Sequence, residues 1–132
     1  MNGYLIDTNI CIALRKEDPV VFDRLRAIEP TEVSVSSITV FEMRYGAANS
    51  SRPDENNAVL DRFFSFFTVL PFDETDALAS GRIRADLKRR GKPIGPFDTL
   101  IAGQALARDL VVVTNNRREF DRVEGLVVED WT

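Results

Sequence analysis

The chain has 132 residues, 44% hydrophobic and 29% charged, with a formal net charge of −4; that length fits one domain around one core. A net negative charge excludes a protein that coats nucleic acid by bulk electrostatics, because such binding rests on many Lys and Arg contacts with phosphate. There is no histidine and a single cysteine, Cys11, which excludes Ser-His-Asp and Cys-His catalysis, an HExxH site, a thiolate zinc cage and an internal disulfide.

In chain order, Tyr4-Leu5-Ile6 predicts a buried strand that ends at Asp7, and Asp7-Thr8-Asn9 can cap a short helix over residues 10–14. Cys11, between Ile10 and Ile12, reads as small core filler. Residues 19–28 carry Val21, Leu25 and Ile28 at helical spacing. Residues 33–35 predict a second strand, closed by Ser36 and Ser37, before a helix over 39–47 with Gly46 near its end. Residues 50–57, with Pro53 among polar neighbours, predict a loop. The helix expected over 56–67 has Leu60, Phe63, Phe64 and Phe67 as its stripe, and the phenylalanines at 63, 64, 66 and 67 read as core or a dimer face.

Val69-Leu70 predicts the third strand, and residues 73–90 a long amphipathic helix capped by Thr75 over Leu78. Gly95-Pro96 suits the start of another helix. Residues 110–113 predict a strand closed by Thr114-Asn115-Asn116, and residues 126–128 a last one. The alternation predicts an α/β fold: a three-layer α/β/α sandwich around a mostly parallel twisted sheet of about five strands, one domain over 1–132. No run approaches the roughly 18 apolar residues of a membrane span, and the start lacks signal-peptide character, so a cytoplasmic location is expected.

Three acids interrupt this apolar pattern. Asp7 closes the first strand and faces the loop beyond it, where parallel sheets bind ligands. On the helix over 39–47 the stripe at i, i+3, i+4, i+7 is Ile38, Phe41, Glu42 and Tyr45, so an acid takes a core-facing slot. On the helix after Gly95 the stripe of Ile101, Ala102, Ala105 and Leu106 extends back to Asp98. Each acid has a plainer reading. Asp7 can serve as a helix cap, Glu42 can snorkel or pair with Arg44, and Asp98 can complement the helix dipole by roughly 0.3–1 kcal/mol.

Carboxylates resist desolvation unless a cation or donor compensates. Three of them at one sheet edge therefore point to a shared site for a hard metal ion. The candidate catalytic residues are Asp7, Glu42 and Asp98, with Glu119 as a fourth and Asn116 competing for that place. Oxygen-only ligands favour Mg²⁺ or Mn²⁺ over Zn²⁺, and the implied reaction is phosphodiester hydrolysis by water activated at the ion. Lys88 and Lys92, leading into the loop before Asp98, and Arg117, beside the site, are candidates for substrate phosphates.

Four segments carry a resemblance: Tyr4-Leu5-Ile6-Asp7-Thr8-Asn9; residues 37–46 around Phe41-Glu42-Met43-Arg44-Tyr45-Gly46; Ile94-Gly95-Pro96-Phe97-Asp98-Thr99; and Val113-Thr114-Asn115-Asn116-Arg117-Arg118-Glu119-Phe120. Together, and in order, they resemble the PIN-domain VapC toxins over nearly the full length. The resemblance implies a Mg²⁺- or Mn²⁺-dependent endoribonuclease, the toxin of a type II toxin–antitoxin pair, inhibited by a VapB-type antitoxin. It implies RNA substrates such as the anticodon stem-loop of particular tRNAs, and a homodimer that antitoxin gathers into a higher assembly. By the same match Asp7, Glu42 and Asp98 are the acidic residues that hold the metal, Asp7 and Asp98 foremost. The fourth position falls on Asn116 or Glu119, and Thr114 matches a small hydroxyl residue beside the site. Two rivals remain at this level: a catalytically silent PIN-fold binding module, and a receiver-like signalling domain phosphorylated on Asp7. Receivers place a lysine at a late strand end, where this chain has Thr114-Asn115-Asn116.

Overall fold

The central strand β1 (Tyr4–Ile6) pairs on one side with β2 (Val33–Ser36) and on the other with β4 (Val111–Val113) in the computed structural model, which describes residues 3–132. The edge strands are β3 (Thr68–Leu70) and β5 (Val128–Glu129), giving the order β3-β2-β1-β4-β5 with every pair parallel. Ile6 stands opposite both Val35 and Val113. The register therefore delivers Asp7, Ser36 and Thr114 together at the carboxyl edge of the sheet.

Period-two alternation sorts the sheet's side chains into two cores. Tyr4, Ile6, Val33, Val35, Val111 and Val113 face one layer, formed by α1 (Thr8–Arg15), α2 (Pro19–Arg26), α3 (Ser37–Ala48) and α4 (Pro53–Phe64). Leu5, Val112 and Val128 face the other, formed by α5 (Glu74–Arg89), α6 (Pro96–Ala107) and α7 (Arg117–Phe120). Cys11 is fully buried in the first core, the filler role expected of it. The three-layer α/β/α architecture is as the alternation predicts, and the sheet is wholly rather than mostly parallel.

Several local expectations are corrected. The loop over 50–57 is shorter, because α4 starts at Pro53; proline lacks only an N–H that a first turn leaves unpaired, and Asp54 and Glu55 suit the positive helix end. Asp73, not Thr75, caps α5, in a reciprocal box with Asp76. The buried face of α3 is Thr39, Met43 and Ala47, while Phe41 and Tyr45 point outward. Thr39 tolerates burial because its hydroxyl meets Thr8, 3.1 Å away. Of the phenylalanine cluster only Phe64 is buried; Phe63 packs on Phe64 and Phe67, and Phe66 is exposed.

The α5–α6 contact is the tightest in the molecule's second layer. A Cβ on Gly103 would lie 1.9 Å from Ser80 Oγ and 2.7 Å from Ser80 Cα, so only glycine fits. Buried Asp76 joins the same two helices, accepting hydrogen bonds from Arg108 at 3.0 Å and from Gln104 at 3.3 Å. Among the described residues no helix is long and apolar enough to cross a membrane.

Candidate active site

Asp7 leaves β1 as the N-cap of α1 and is 2% exposed. One carboxylate oxygen accepts the Ile10 N–H at 3.0 Å, and the other accepts the Thr114 hydroxyl at 2.5 Å. Thr114 is itself fixed by accepting the Asn116 N–H at 2.9 Å. Burial raises the Asp7 pKa to about 6; the bonds from Thr114 and Ile10 oppose that rise, and the charge of Glu42 adds to it. The helix-cap reading of Asp7 is thus correct as geometry, yet burial outweighs the cap and favours the neutral carboxyl.

Glu42 is half-buried on α3, and Thr8 Oγ1 donates to its Oε1 at 2.7 Å. Arg44 does not neutralise it. That guanidinium turns to the Asn57 carbonyl and side chain and to Asp61, 2.7 Å away. Glu42 therefore sits at the margin of the core, not in a core-facing slot, with a hydroxyl as its partner.

Asp98 stands in the first turn of α6, half-buried. Burial raises its pKa to about 7, followed by its hydrogen bond with Glu119 and by the charges of Glu119, Asp7 and Glu42. Glu119 moves the other way, held low first by its hydrogen bond with Asp98 and then by donors from Gly95 and Asn116. Gly95 N–H reaches Glu119 Oε1 at 2.7 Å, and Asn116 Nδ2 reaches Oε2 at 2.5 Å. Of the two, Asp98 is the one whose proton is favoured and Glu119 the one whose charge is favoured. Asn116 and Glu119, alternatives in the sequence, act here as donor and acceptor of one contact.

The four acids come from the β1–α1 junction, α3, α6 and α7, and each of Asp7, Glu42 and Glu119 acts electrostatically on Asp98. The phosphate-binding candidates are less engaged. Lys88 and Lys92 are exposed, and among the described residues no hydrogen bond or ion pair draws them to the acids. Arg117 pairs with Asp121 at 3.3 Å. Thr8, Thr39 and the Gly95 amide escaped the sequence reading. The one signal for Thr8 was its place beside a strand-end acid.

Among the described residues no group of three or more Asp, Glu or Cys side chains stands ready as a metal cage. Thr8, Thr114, Asn116 and Gly95 occupy the acids instead. The donor chemistry nevertheless fits a hard divalent cation: the set is oxygen-only, and two of its members have pKa values raised by burial and mutual repulsion.

The PIN domain profile matches residues 4–126. The chain is 45% identical over 132 residues to the tRNA(fMet)-specific endonuclease VapC of Shigella flexneri, with 100% of each covered. It is 41% identical to Ribonuclease VapC2 of Haemophilus influenzae over 99% of each. Among solved structures, DNA-bound VapBC from Salmonella typhimurium superposes with a TM-score of 0.93 at 43% identity, covering 100% of both chains. VapBC-1 from nontypeable Haemophilus influenzae follows at 0.89 and 33%, covering 97% of each. On its sequence blocks, its sheet order and these matches, the chain belongs to the PIN-domain family, among its VapC members.

Proposed function

We propose that this protein is a divalent-metal-dependent endoribonuclease, the toxin of a VapBC-type toxin–antitoxin pair, acting on tRNA. The observation that carries the reading is the gathering of acids from four separate chain segments around Asp98, on which Glu119, Asp7 and Glu42 all act electrostatically. Asp7, Glu42 and Asp98 would hold Mg²⁺ or Mn²⁺, which supplies a lowered water pKa and neutralises charge building on the phosphate and leaving oxygen. Asp7 is kept in position by Ile10 N–H and Thr114, and the lone pairs those two donors leave free would face a cation. Glu119, clamped by Gly95 N–H and Asn116 Nδ2, would hold Asp98 in place beside a bound cation through their shared hydrogen bond.

Lys88, Lys92 and Arg117 would meet RNA backbone phosphates, and Arg117 would have to leave Asp121 to do so. The relatives named as tRNA(fMet)-specific endonucleases support a tRNA substrate; the anticodon stem-loop as its target rests on the resemblance of the sequence blocks alone. The VapBC complexes support a VapB-type antitoxin as partner; the homodimer and its gathering into a larger assembly rest on the resemblance of the sequence blocks alone. Purified protein freed of antitoxin and stripped with EDTA should cleave tRNA only when Mg²⁺ or Mn²⁺ is restored. Asp7→Asn and Asp98→Asn should lower that rate at least ~100-fold; wild-type rates in both would refute the site.

A further inference from the structure

Residues 90–95 join α5 to α6 and lead directly to Asp98. Lys92 N–H closes the end of α5 on the Leu87 carbonyl, and Thr99 N–H opens α6 on the Gly95 carbonyl. Between those two bonds the backbone is met by side chains from α7 and the turn after it. Arg122 Nη1 donates to the Pro93 carbonyl at 2.9 Å, and Glu119 Oε1 accepts the Gly95 N–H at 2.7 Å. A carbonyl and the amide two residues on are the groups that a parallel neighbouring strand would engage, so these two side chains stand in for a strand. The turn that presents them is seated by Phe120 and Val123, both buried in the second core. Arg90 completes the contact from α5: its guanidinium pairs with Asp86 at 2.9 Å and donates to the Arg122 carbonyl. Gly95 lies against the acids themselves, since a Cβ built on it would stand 3.5 Å from Asp98 Oδ2 and 3.8 Å from Glu119 Oε1.

We propose that Arg122 is a positioning residue of the nuclease site: by holding the Pro93 carbonyl it fixes the course of residues 93–95, and with it the place at which Asp98 meets a divalent cation. The inference rests on the endoribonuclease reading and adds what sets the geometry of one of its ligands. Asp98 sits in the first helical turn after Gly95, so a shift of that backbone is carried to its carboxylate. Glu119 alone does not prevent such a shift. Its one bond to Gly95 is a pivot, and the second bond, two residues back at Pro93, removes the rotation. The charge of Arg122 also favours the Glu119 carboxylate that accepts the Gly95 amide. The bonds made by Arg90 and Arg122 lie in solvent, where protein and water donors exchange at little net gain, so they add little to a segment already anchored by Phe120 and Val123. Their consequence falls on the site rather than on the fold.

The test uses the full chain, freed of antitoxin and stripped with EDTA. Mn²⁺ binding is followed by electron paramagnetic resonance without RNA, Gly95 amide exchange by NMR, and tRNA cleavage with Mg²⁺. Arg122→Met should weaken Mn²⁺ binding about 10-fold and lower kcat about 10- to 100-fold, with KM for RNA within a factor of about two. The Gly95 amide should exchange faster in that variant while the urea midpoint stays at the wild-type value. Arg122→Lys keeps a charged donor and should recover most of both losses. Arg118→Met removes the same charge from an exposed residue of α7 and should leave Mn²⁺ affinity unchanged. Wild-type Mn²⁺ affinity and kcat in Arg122→Met would overturn the proposal. So would a rise in KM alone, the mark of a phosphate contact, an equal Mn²⁺ loss in Arg118→Met, the mark of net charge, or a Mn²⁺ loss matched by a fall in urea midpoint, the mark of a fold contact. Weakened Mn²⁺ binding in Arg122→Met beside a wild type that cuts no RNA would leave the positioning role standing and remove the nuclease reading instead; a wild type that binds no Mn²⁺ would remove both.

Discussion

Replacing Asp7 with asparagine should separate what the acid costs the fold from what it does in catalysis. Burial lifts the Asp7 pKa from 3.8 to about 6. At 1.36 kcal/mol per unit, the ionised form destabilises the folded state by up to about 3 kcal/mol. The folded chain still holds its proton between pH 4 and 6, where the unfolded chain has lost it, so this contribution weakens the fold as pH rises through that window. The introduced amide carries no charge, but its Nδ2 would face Thr114 Oγ1, which already accepts the Asn116 N–H. Thr114 must then accept twice and leave its own hydrogen unpaired, at about 1 kcal/mol. The difference leaves Asp7→Asn about 1–2 kcal/mol more stable than wild type at pH 7.5, or roughly 3–8 °C in Tm. Urea titrations in EDTA at pH 7.5 and pH 4.5 read this directly, and the gain should vanish at the lower pH. Added Mg²⁺ should stabilise wild type and not the variant. A variant less stable than wild type at pH 7.5, or a difference independent of pH, would refute the account of a desolvated carboxylate held ready for a cation.

Thr114→Val removes the hydroxyl that favours the Asp7 carboxylate; the acid limb of the pH–rate profile for RNA cleavage should move up by about one unit, and an unmoved limb would exclude Thr114 from tuning Asp7. Gly103→Ala drives a methyl into Ser80 and should cost at least about 2–3 kcal/mol by urea midpoint, with Ser80→Gly recovering only part because the Ser80 Cα also lies 2.7 Å from the new atom. Arg108→Met strands the buried Asp76 carboxylate and should cost about 3–5 kcal/mol, much of it regained when Asp76→Asn is added; equal stability of the single and double variants would show that the charge is not what matters.

The sheet and Asp7 were legible because short apolar runs bounded by polar residues leave little freedom in a parallel α/β fold, and Thr114 was legible for the same reason. The role of Glu119 was not, because Arg117 and Arg118 beside it give the segment the look of a solvated surface; what defines Glu119 is a backbone amide at Gly95, far off in sequence. Thr8 was hidden too, since a threonine in a helix's first turn carries no mark of the acid it will meet. The stripe through Phe41, Glu42 and Tyr45 was misjudged because helical periodicity assumes that the bulkiest residues are buried. On α3 the slimmer Thr39, Met43 and Ala47 face the core instead, and the large rings point outward.

The acids lie on chain segments near the beginning, middle and end of the sequence, so a cation that binds them together closes long loops as a crosslink does. Under the proposed function, such a cation would slow local opening of the first turn of α6, which carries Asp98, and protect its backbone amides from exchange and proteolysis.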